Sequence, residues 1–170
     1  PDGDAEASTF AWKNGGSIIG TTATLASGFA KGDVITCEVT PNDGTDSGTP
    51  VTASITIDNA APSITGVDVG PTNPTVNDTL TCASTGYSDP DGDAEASTFA
   101  WKNGGSVIGT KATLSSGFAK GDVVTCEVTP NDGTDSGTPL NASITIENAA
   151  PSITGVDVGP IKPTVNDTLT

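Results

Sequence analysis

Residues 88–97, SDPDGDAEAS, carry carboxylates at four alternating positions, namely Asp89, Asp91, Asp93 and Glu95. The nearest basic residue along the chain is Lys102. Like charges held this close cost free energy unless a cation neutralises them. Alternate side chains of an extended segment point to the same side, so these carboxylates can converge. The stretch therefore predicts a cation site.

The stretch PDGDAEAS also opens the chain, because residues 1–81 and 90–170 are two copies of one sequence at an offset of 89. The copies differ at nine positions (18, 22, 26, 35, 51, 52, 58, 72 and 73 of the first copy), so 72 of 81 positions are identical. A fixed period of this kind predicts tandem modules. A period of 89 residues suits a small β-sandwich.

The hydrophobic pattern is that of β-structure throughout, since short alternating runs are separated by clusters of Gly, Asn, Asp and Pro. We expect almost no helix, because no stretch of ten or more residues has a helical period. One full repeat predicts seven strands, at about 63–69, 77–84, 97–103, 105–109, 111–115, 122–129 and 138–147. The predicted fold class is therefore all-β, as tandem sandwich repeats.

These strands divide the chain into three predicted parts. Residues 1–61 are a partial repeat with the third to seventh strands, 62–150 are a complete repeat, and 151–170 are the first strand and the start of the second. Two assemblies fit this division. Either a long polypeptide carries many repeats, or separate subunits exchange strands, with 151–170 completing the 1–61 part of the next copy.

Composition narrows the function classes. The net charge is −15, from 21 acidic and 6 basic residues, which disfavours nucleic acid and anionic membranes as partners and favours divalent cations. No run approaches 18 apolar residues, so we expect no membrane insertion. With no histidine, no P-loop and no GxSxG motif, the chain is not expected to be an enzyme.

Two cysteines and a tryptophan have a telling order in the complete repeat. Cys82 lies on the second predicted strand, Trp101 on the third and Cys126 on the sixth. This order resembles the immunoglobulin superfamily, in which a buried tryptophan packs on a disulfide between the two sheets. The resemblance implies a Cys82–Cys126 disulfide and a core position for Trp101. The tyrosine that the family places two residues before its second cysteine is replaced here by Val124.

Alternatives to these implications remain open at this point. Cys37 corresponds to Cys126, and its own partner would precede the chain. A disulfide implies a secreted protein, whereas three free buried thiols would imply a cytosolic one. Trp12 and Trp101 are alternatively platforms for carbohydrate.

A second resemblance is more local. The runs YSDPDGDA, VTPNDGTDSG and ITIDNAAPSI are similar to those of Ig-like, PKD-like or cadherin-like tandem repeats in bacterial and archaeal surface or filament proteins. The resemblance implies an extracellular or cell-surface location. It also implies that an ion at the junction between repeats stiffens a short linker.

Strand order places the loops after the second and sixth strands at one pole, beside the linker from the preceding repeat. Six of the eleven acidic residues of 62–150 lie in these two loops. Calcium suits them, because it takes six to eight oxygen ligands with irregular geometry, whereas zinc prefers His or Cys. The alternative is a set of solvated acidic turns. The candidate calcium ligands are Asp58, Asn59, Asp89, Asp91, Asp93, Glu95, Asn131, Asp132 and Asp135.

Asn77, Asn141 and Asn166 match N-glycosylation acceptors. Together these features predict a structural repeat of an extracellular fibre, stalk or adhesin shaft, whose partners are neighbouring copies of the same repeat. The rival hypothesis is a ligand- or carbohydrate-binding accessory module of a secreted or surface protein. Near-identical copies favour the structural hypothesis, since recognition usually needs one distinctive tip.

Overall fold

The computed structural model describes residues 5–170. Residues 5–61 are called the first unit, 62–150 the second unit and 151–170 the C-terminal segment; residues 1–4 of the predicted 1–61 part lie outside the described residues. The first unit contains β1 (Thr9–Asn14), β2 (Ser17–Gly20), β3 (Val34–Thr40) and β4 (Val51–Thr56). The second unit contains β5 (Gly66–Gly70), β6 (Leu80–Thr85), β7 (Thr98–Asn103), β8 (Ser106–Gly109), β9 (Thr113–Leu114), β10 (Val123–Thr129) and β11 (Leu140–Thr145).

The described chain has no helix, so the all-β prediction is confirmed. Every strand pair is antiparallel, within three sheets of order β2-β1-β3-β4, β11-β10-β7-β8 and β5-β6-β9. The first two sheets have equivalent strands in the same register, since Trp12 pairs with Cys37 as Trp101 pairs with Cys126. Near-identical sequence thus gives the same sheet twice.

Turn chemistry explains where several strands begin. Gly104 and Gly105 have φ of +56° and +83°, which suits the tight turn between β7 and β8. The predicted strand at 77–84 begins later, at Leu80, because the Asp78 carboxylate closes a turn by accepting the backbone N–H and hydroxyl of Thr75, each at 2.7 Å. β11 begins only after Pro139, which has no N–H to donate to a ladder.

The second unit is a sandwich of two sheets around one core. Alternate side chains of β10 are buried, and they meet those of β6 and β7 from the facing sheet or the same sheet. The Cys82–Cys126 disulfide joins β6 to β10 across the two layers, as the family resemblance implies. Trp101 is fully buried in this core, and its indole N–H donates to the Lys111 carbonyl at 2.9 Å.

The first unit presents only the four-stranded layer among the described residues. Trp12, Cys37 and Val39 are half-buried where Trp101, Cys126 and Val128 are buried. Ile35 is the one buried residue in the described part of this unit. Cys37 is a free thiol. The difference between the units lies in what covers the sheet, since the sheets themselves match.

Candidate functional site

The β6–β7 loop, residues 86–97, folds around one carboxylate. Asp89 Oδ1 accepts the backbone N–H groups of Asp91 and Asp93, both at 2.9 Å. Gly92, with φ of +80°, provides the turn that makes this possible. The wrapped loop explains why acidic residues at alternating positions end up close to one another.

The β10–β11 loop, residues 130–139, is built in the same way. Asp132 Oδ1 accepts the N–H groups of Thr134 and Asp135 at 2.6 and 2.7 Å. Asp43 makes the same two contacts in the first unit, so the loop is a property of the local sequence PNDGTD.

The two loops meet at one pole of the second unit. The Ala96 N–H donates to the Asn131 carbonyl at 2.7 Å, which ties one loop to the other. One carboxylate oxygen from each of Asp89, Asp93 and Asp132 lies within 4.8 Å of the other two. Oxygens that share a calcium ion at roughly 2.4 Å lie no more than about 4.8 Å apart, so this spacing fits that cation.

Asp89 has one oxygen left over. Its Oδ2 atom is buried and has no hydrogen-bond partner, the only such side-chain atom in the described chain. Buried polar atoms are almost always paired, because an unpaired one loses its hydration without compensation. The orphaned oxygen is the observation that best fits these residues to a bound cation.

The linker between the units, residues 57–61, is hydrogen-bonded to the same acidic loops. Asn59 Nδ2 donates to Asp132 Oδ2 at 2.8 Å and to Asp135 Oδ2 at 2.7 Å. The backbone N–H of Ala60 donates to Asp91 Oδ2 at 2.7 Å. Three of the second unit's carboxylates therefore clamp two adjacent linker residues.

Lys31 of the first unit provides a cation that sequence reasoning missed. Its ammonium group pairs with Asp93 Oδ2 and donates to Asn59 Oδ1 at 2.9 Å. The hydrogen bond to Asp93 is the main cause of a raised pKa of Lys31. Both partners are partly exposed, so solvent screens this ion pair and its contribution to stability is small.

Backbone contacts place Lys31 at the junction. The Gly32 N–H donates to the Ile57 carbonyl at 2.8 Å, and the Ile57 N–H returns to the Asp33 carbonyl at 2.9 Å. The loop that carries Lys31 is thus bonded to the start of the linker. A signal was present in the sequence, since the period places this loop at the pole opposite the acidic loops, where the next unit begins.

The other predicted ligands are placed differently. Asp58 is exposed and is not one of the three carboxylates that lie within 4.8 Å of one another. Glu95 Oε1 accepts the hydroxyls of Ser84 at 2.6 Å and Ser97 at 2.8 Å. Asn131 organises its own loop, with Oδ1 accepting the Gly133 N–H at 2.7 Å. The predicted glycosylation positions, Asn77, Asn141 and Asn166, are all exposed.

The pKa of Asp132 should report on the linker clamp. Hydrogen bonds from Asn59 and then from the Asp135 N–H lower that pKa to about 2. A lowered pKa means that the contribution of this carboxylate to stability is present above the ordinary value of about 4 and is lost as the pH falls towards 2. We expect Asn59→Ala to raise the pKa of Asp132, measured by carboxyl-carbon NMR titration.

Asp43 is the internal control for that titration. Its pKa is also lowered, by the N–H groups of Asp46 and Thr45, but Asn59 does not reach it. An Asp132 pKa that stays unchanged in Asn59→Ala would contradict the clamp.

Gly137 is where the β10–β11 loop touches the start of the second unit. A Cβ there would lie 1.8 Å from the Pro62 carbonyl oxygen and 3.0 Å from Pro130 Cγ. Gly137→Ala should therefore displace Pro62 from the β10–β11 loop and destabilise the second unit by about 1–3 kcal/mol. The measurement is chemical denaturation followed by circular dichroism.

Gly48 is the matched control, because the atoms nearest to its Cβ would be those of the Pro41 ring, at 3.3 Å or more, and the Pro41 carbonyl oxygen at 3.8 Å. Gly48→Ala should cost little. Equal destabilisation by the two substitutions would show that the Pro62 contact does not matter.

No protein-family model matches the chain, and no curated protein matches it either. The described residues form no helix long and apolar enough to cross a lipid bilayer. Function is therefore inferred from the geometry of the junction.

Proposed function

We propose that the chain is a structural repeat of an extracellular fibre, stalk or adhesin shaft, built of Ig-like units joined end to end. The observation that carries the proposal is the junction between the units. Lys31, Asn59 and Ala60 are bonded to carboxylates of the next unit. A linker that is hydrogen-bonded to both units resists bending, and resistance to bending is the property that a shaft needs.

The same junction can be repeated along a fibre. Lys120 and Asn148 stand at the positions of Lys31 and Asn59, 89 residues further on. Both side chains are exposed at the far pole of the second unit. Every unit then carries an acidic pole at one end and a lysine and asparagine at the other, so units add in one direction.

Disulfides suit this setting. A bond between Cys82 and Cys126 persists in an oxidising compartment, in agreement with an extracellular location. It also locks the two layers of a small unit together, so that a fibre under tension cannot easily open the unit between them.

Calcium is the cation proposed for the pole. Asp89, Asp93 and Asp132 would hold it, with the orphaned Asp89 Oδ2 as one ligand. A divalent ion would neutralise the carboxylates more fully than the single charge of Lys31 and would tighten the junction. Its role is mechanical, as a clamp between neighbouring units.

Asp89→Asn separates the calcium site from the fold. The substitution keeps the Oδ1 atom that binds two backbone N–H groups and replaces the unpaired Oδ2 by an amide. In chelator we expect the variant to be as stable as the wild type or slightly more stable, because one negative charge is lost. Addition of calcium should raise the melting temperature of the wild type and leave that of the variant unchanged. Equal responses of both proteins would remove Asp89 from the proposed site.

The shaft itself is tested with several 89-residue units fused in one polypeptide. Electron microscopy should show straight rods whose length grows by a constant increment with each added unit. Lys31→Ala and its counterpart in every unit should increase bending. Freely jointed beads in wild-type protein, with or without calcium, would overturn the proposal.

A further inference from the structure

The C-terminal segment exposes apolar side chains whose counterparts are buried. It matches residues 62–81 at 18 of 20 positions, differing only at Ile161 and Lys162. Ile153 is 81% exposed where Ile64 is 8% exposed. Leu169 is 59% exposed where Leu80 is fully buried. The same sequence is therefore seen once inside a core and once facing solvent.

The first unit exposes the surface that such a segment covers. Every residue of β4 is exposed, whereas alternate residues of β11 are shielded. In the second unit β5 packs against β11 and shields Leu140 and Ile144. Their counterparts on β4, Val51 and Ile55, are among the exposed large apolar side chains of the chain.

We infer that the C-terminal segment of one copy of this chain docks on the β2-β1-β3-β4 sheet of a second copy, as residues 62–81 dock on the β8-β7-β10-β11 sheet. The inference deepens the proposed function, and it rests on that proposal only for the end-to-end order of units in a fibre. Copies then associate head to tail, because the donor segment follows the second unit and the acceptor sheet belongs to the first unit.

Two local features of the packed residues 62–81 are already present in the segment, although it forms no strand of its own. Gly159 and Thr170 exchange two backbone hydrogen bonds of 3.3 Å, at the positions where Gly70 pairs with Thr81 in the second unit. Asp167 closes the turn at Thr164 just as Asp78 closes the turn at Thr75. Binding of a partly preformed segment costs less conformational entropy than binding of a disordered one.

Polar groups at the two ends are also complementary. Asn148, the counterpart of Asn59, lies directly before the segment. In a docked pair it reaches Asp43 and Asp46, as Asn59 reaches Asp132 and Asp135 in the described junction. Each docked segment therefore brings its own linker clamp.

Gly48 leaves room for the incoming chain. Its counterpart Gly137 lies against the Pro62 carbonyl, so the carbonyl of Pro151 from a second copy would lie against Gly48 in the docked pair. Within one copy the three atoms nearest to a Cβ built on Gly48 all belong to Pro41, at 3.3 Å or more. Gly48→Ala thus obstructs docking with little effect on the isolated chain.

The test is sedimentation velocity of the 170-residue chain over a range of concentrations, in a Cys37→Ser background that prevents adventitious disulfides. The chain should form oligomers that grow with concentration. Ile153→Asp should weaken association by at least about 100-fold, because it places a carboxylate where an isoleucine is buried. Gly48→Ala should weaken it as well.

Val165→Asp is the matched control on the same segment. Val165 is 100% exposed and its counterpart Val76 remains 41% exposed in the packed unit, so this substitution should leave association unchanged. Association that is as strong with Ile153→Asp as without it would overturn the inference, and so would a chain that stays monomeric at every concentration. The first outcome would indicate that two acceptor sheets pack face to face. The second would indicate that the segment folds back on its own first unit.

A register test uses one cysteine appended after Thr170, at the position that corresponds to Cys82, with Cys37 retained. Air oxidation should then give a ladder of disulfide-linked oligomers through Cys37 of the neighbouring copy. Thr170→Cys is the control. Its counterpart Thr81 is exposed whereas Cys82 is buried, so a cysteine at 170 should point away from Cys37 of the neighbouring copy. Equal crosslinking of both variants would contradict docking in this register. Fused units that form stiff rods while separate chains stay monomeric would reject the inference alone, whereas flexible fused units would reject the shaft.

Discussion

Replacement of both Cys82 and Cys126 by alanine is expected to lower the free energy of unfolding of the second unit by about 4 kcal/mol. The bond closes a sequence separation of 44 residues, and the unfolded chain regains the corresponding entropy when the bond is lost. Small sandwiches of this size depend on such a crosslink because their cores are thin. Denaturant unfolding followed by circular dichroism, with and without the two substitutions, measures the difference.

Cys37→Ala is the control for that experiment. The Cys37 thiol is free and half-buried, so its replacement should change stability by less than about 1 kcal/mol. A double variant that unfolds at the wild-type denaturant concentration would show that packing alone holds the two layers together.

Trp101→Ala is expected to cost about 3–5 kcal/mol, the usual range for removal of a large aromatic side chain from a core. Trp101 is fully buried, packs in the core beside the disulfide and loses a hydrogen bond to Lys111 when truncated. Its counterpart Trp12 has the same neighbours on its strand and the same type of hydrogen bond, to Thr22 at 2.9 Å, but is only half-buried. Trp12→Ala should therefore cost clearly less.

The environment of each tryptophan can also be measured by fluorescence in these variants, because the chain has only two tryptophans. Trp12→Ala leaves Trp101 as the sole fluorophore, whose emission should be blue-shifted by its dry environment. Trp101→Ala leaves Trp12, whose emission should be redder. Identical emission maxima in the two folded variants would mean that the first unit's sheet is covered in solution.

Docking of the C-terminal segment should also change the fluorescence of Trp12. Docking of a C-terminal segment on the first unit would cover part of Trp12, because the segment matches residues 62–81 of the layer that covers Trp101. The emission of Trp12 should then shift to the blue as protein concentration rises, and Gly48→Ala should suppress the shift.

The repeated sequence by itself determined the all-β class and the approximate positions of the strands. Alternation along VVTCEVT and the Gly-Gly turn after Asn103 are local signals, and they were sufficient to place β7, β8 and β10 within one or two residues. The Cys82–Cys126 bond followed from the resemblance to a known sandwich. Local propensities of this kind act over a few residues, so they can be read without knowledge of the rest of the chain.

The candidate site was predicted only in outline. The sequence placed the acidic loops and the linker at one pole, and the structure brings Asp89, Asp93 and Asp132 together there. It directs Glu95 to two serines instead, a choice made by neighbouring strands that no spacing along the loop reveals.

Only the tertiary structure decided what neutralises the acidic pole and what covers each sheet. Lys31 and Asp93 are 62 residues apart along the chain, and they meet because one unit ends where the next begins. Near-identical strands are buried in one unit and exposed in the other, so burial here is a property of the neighbours and is invisible in the residues themselves. Long-range contacts depend on how whole layers stack, and that arrangement is set by the sum of many contacts rather than by any single motif.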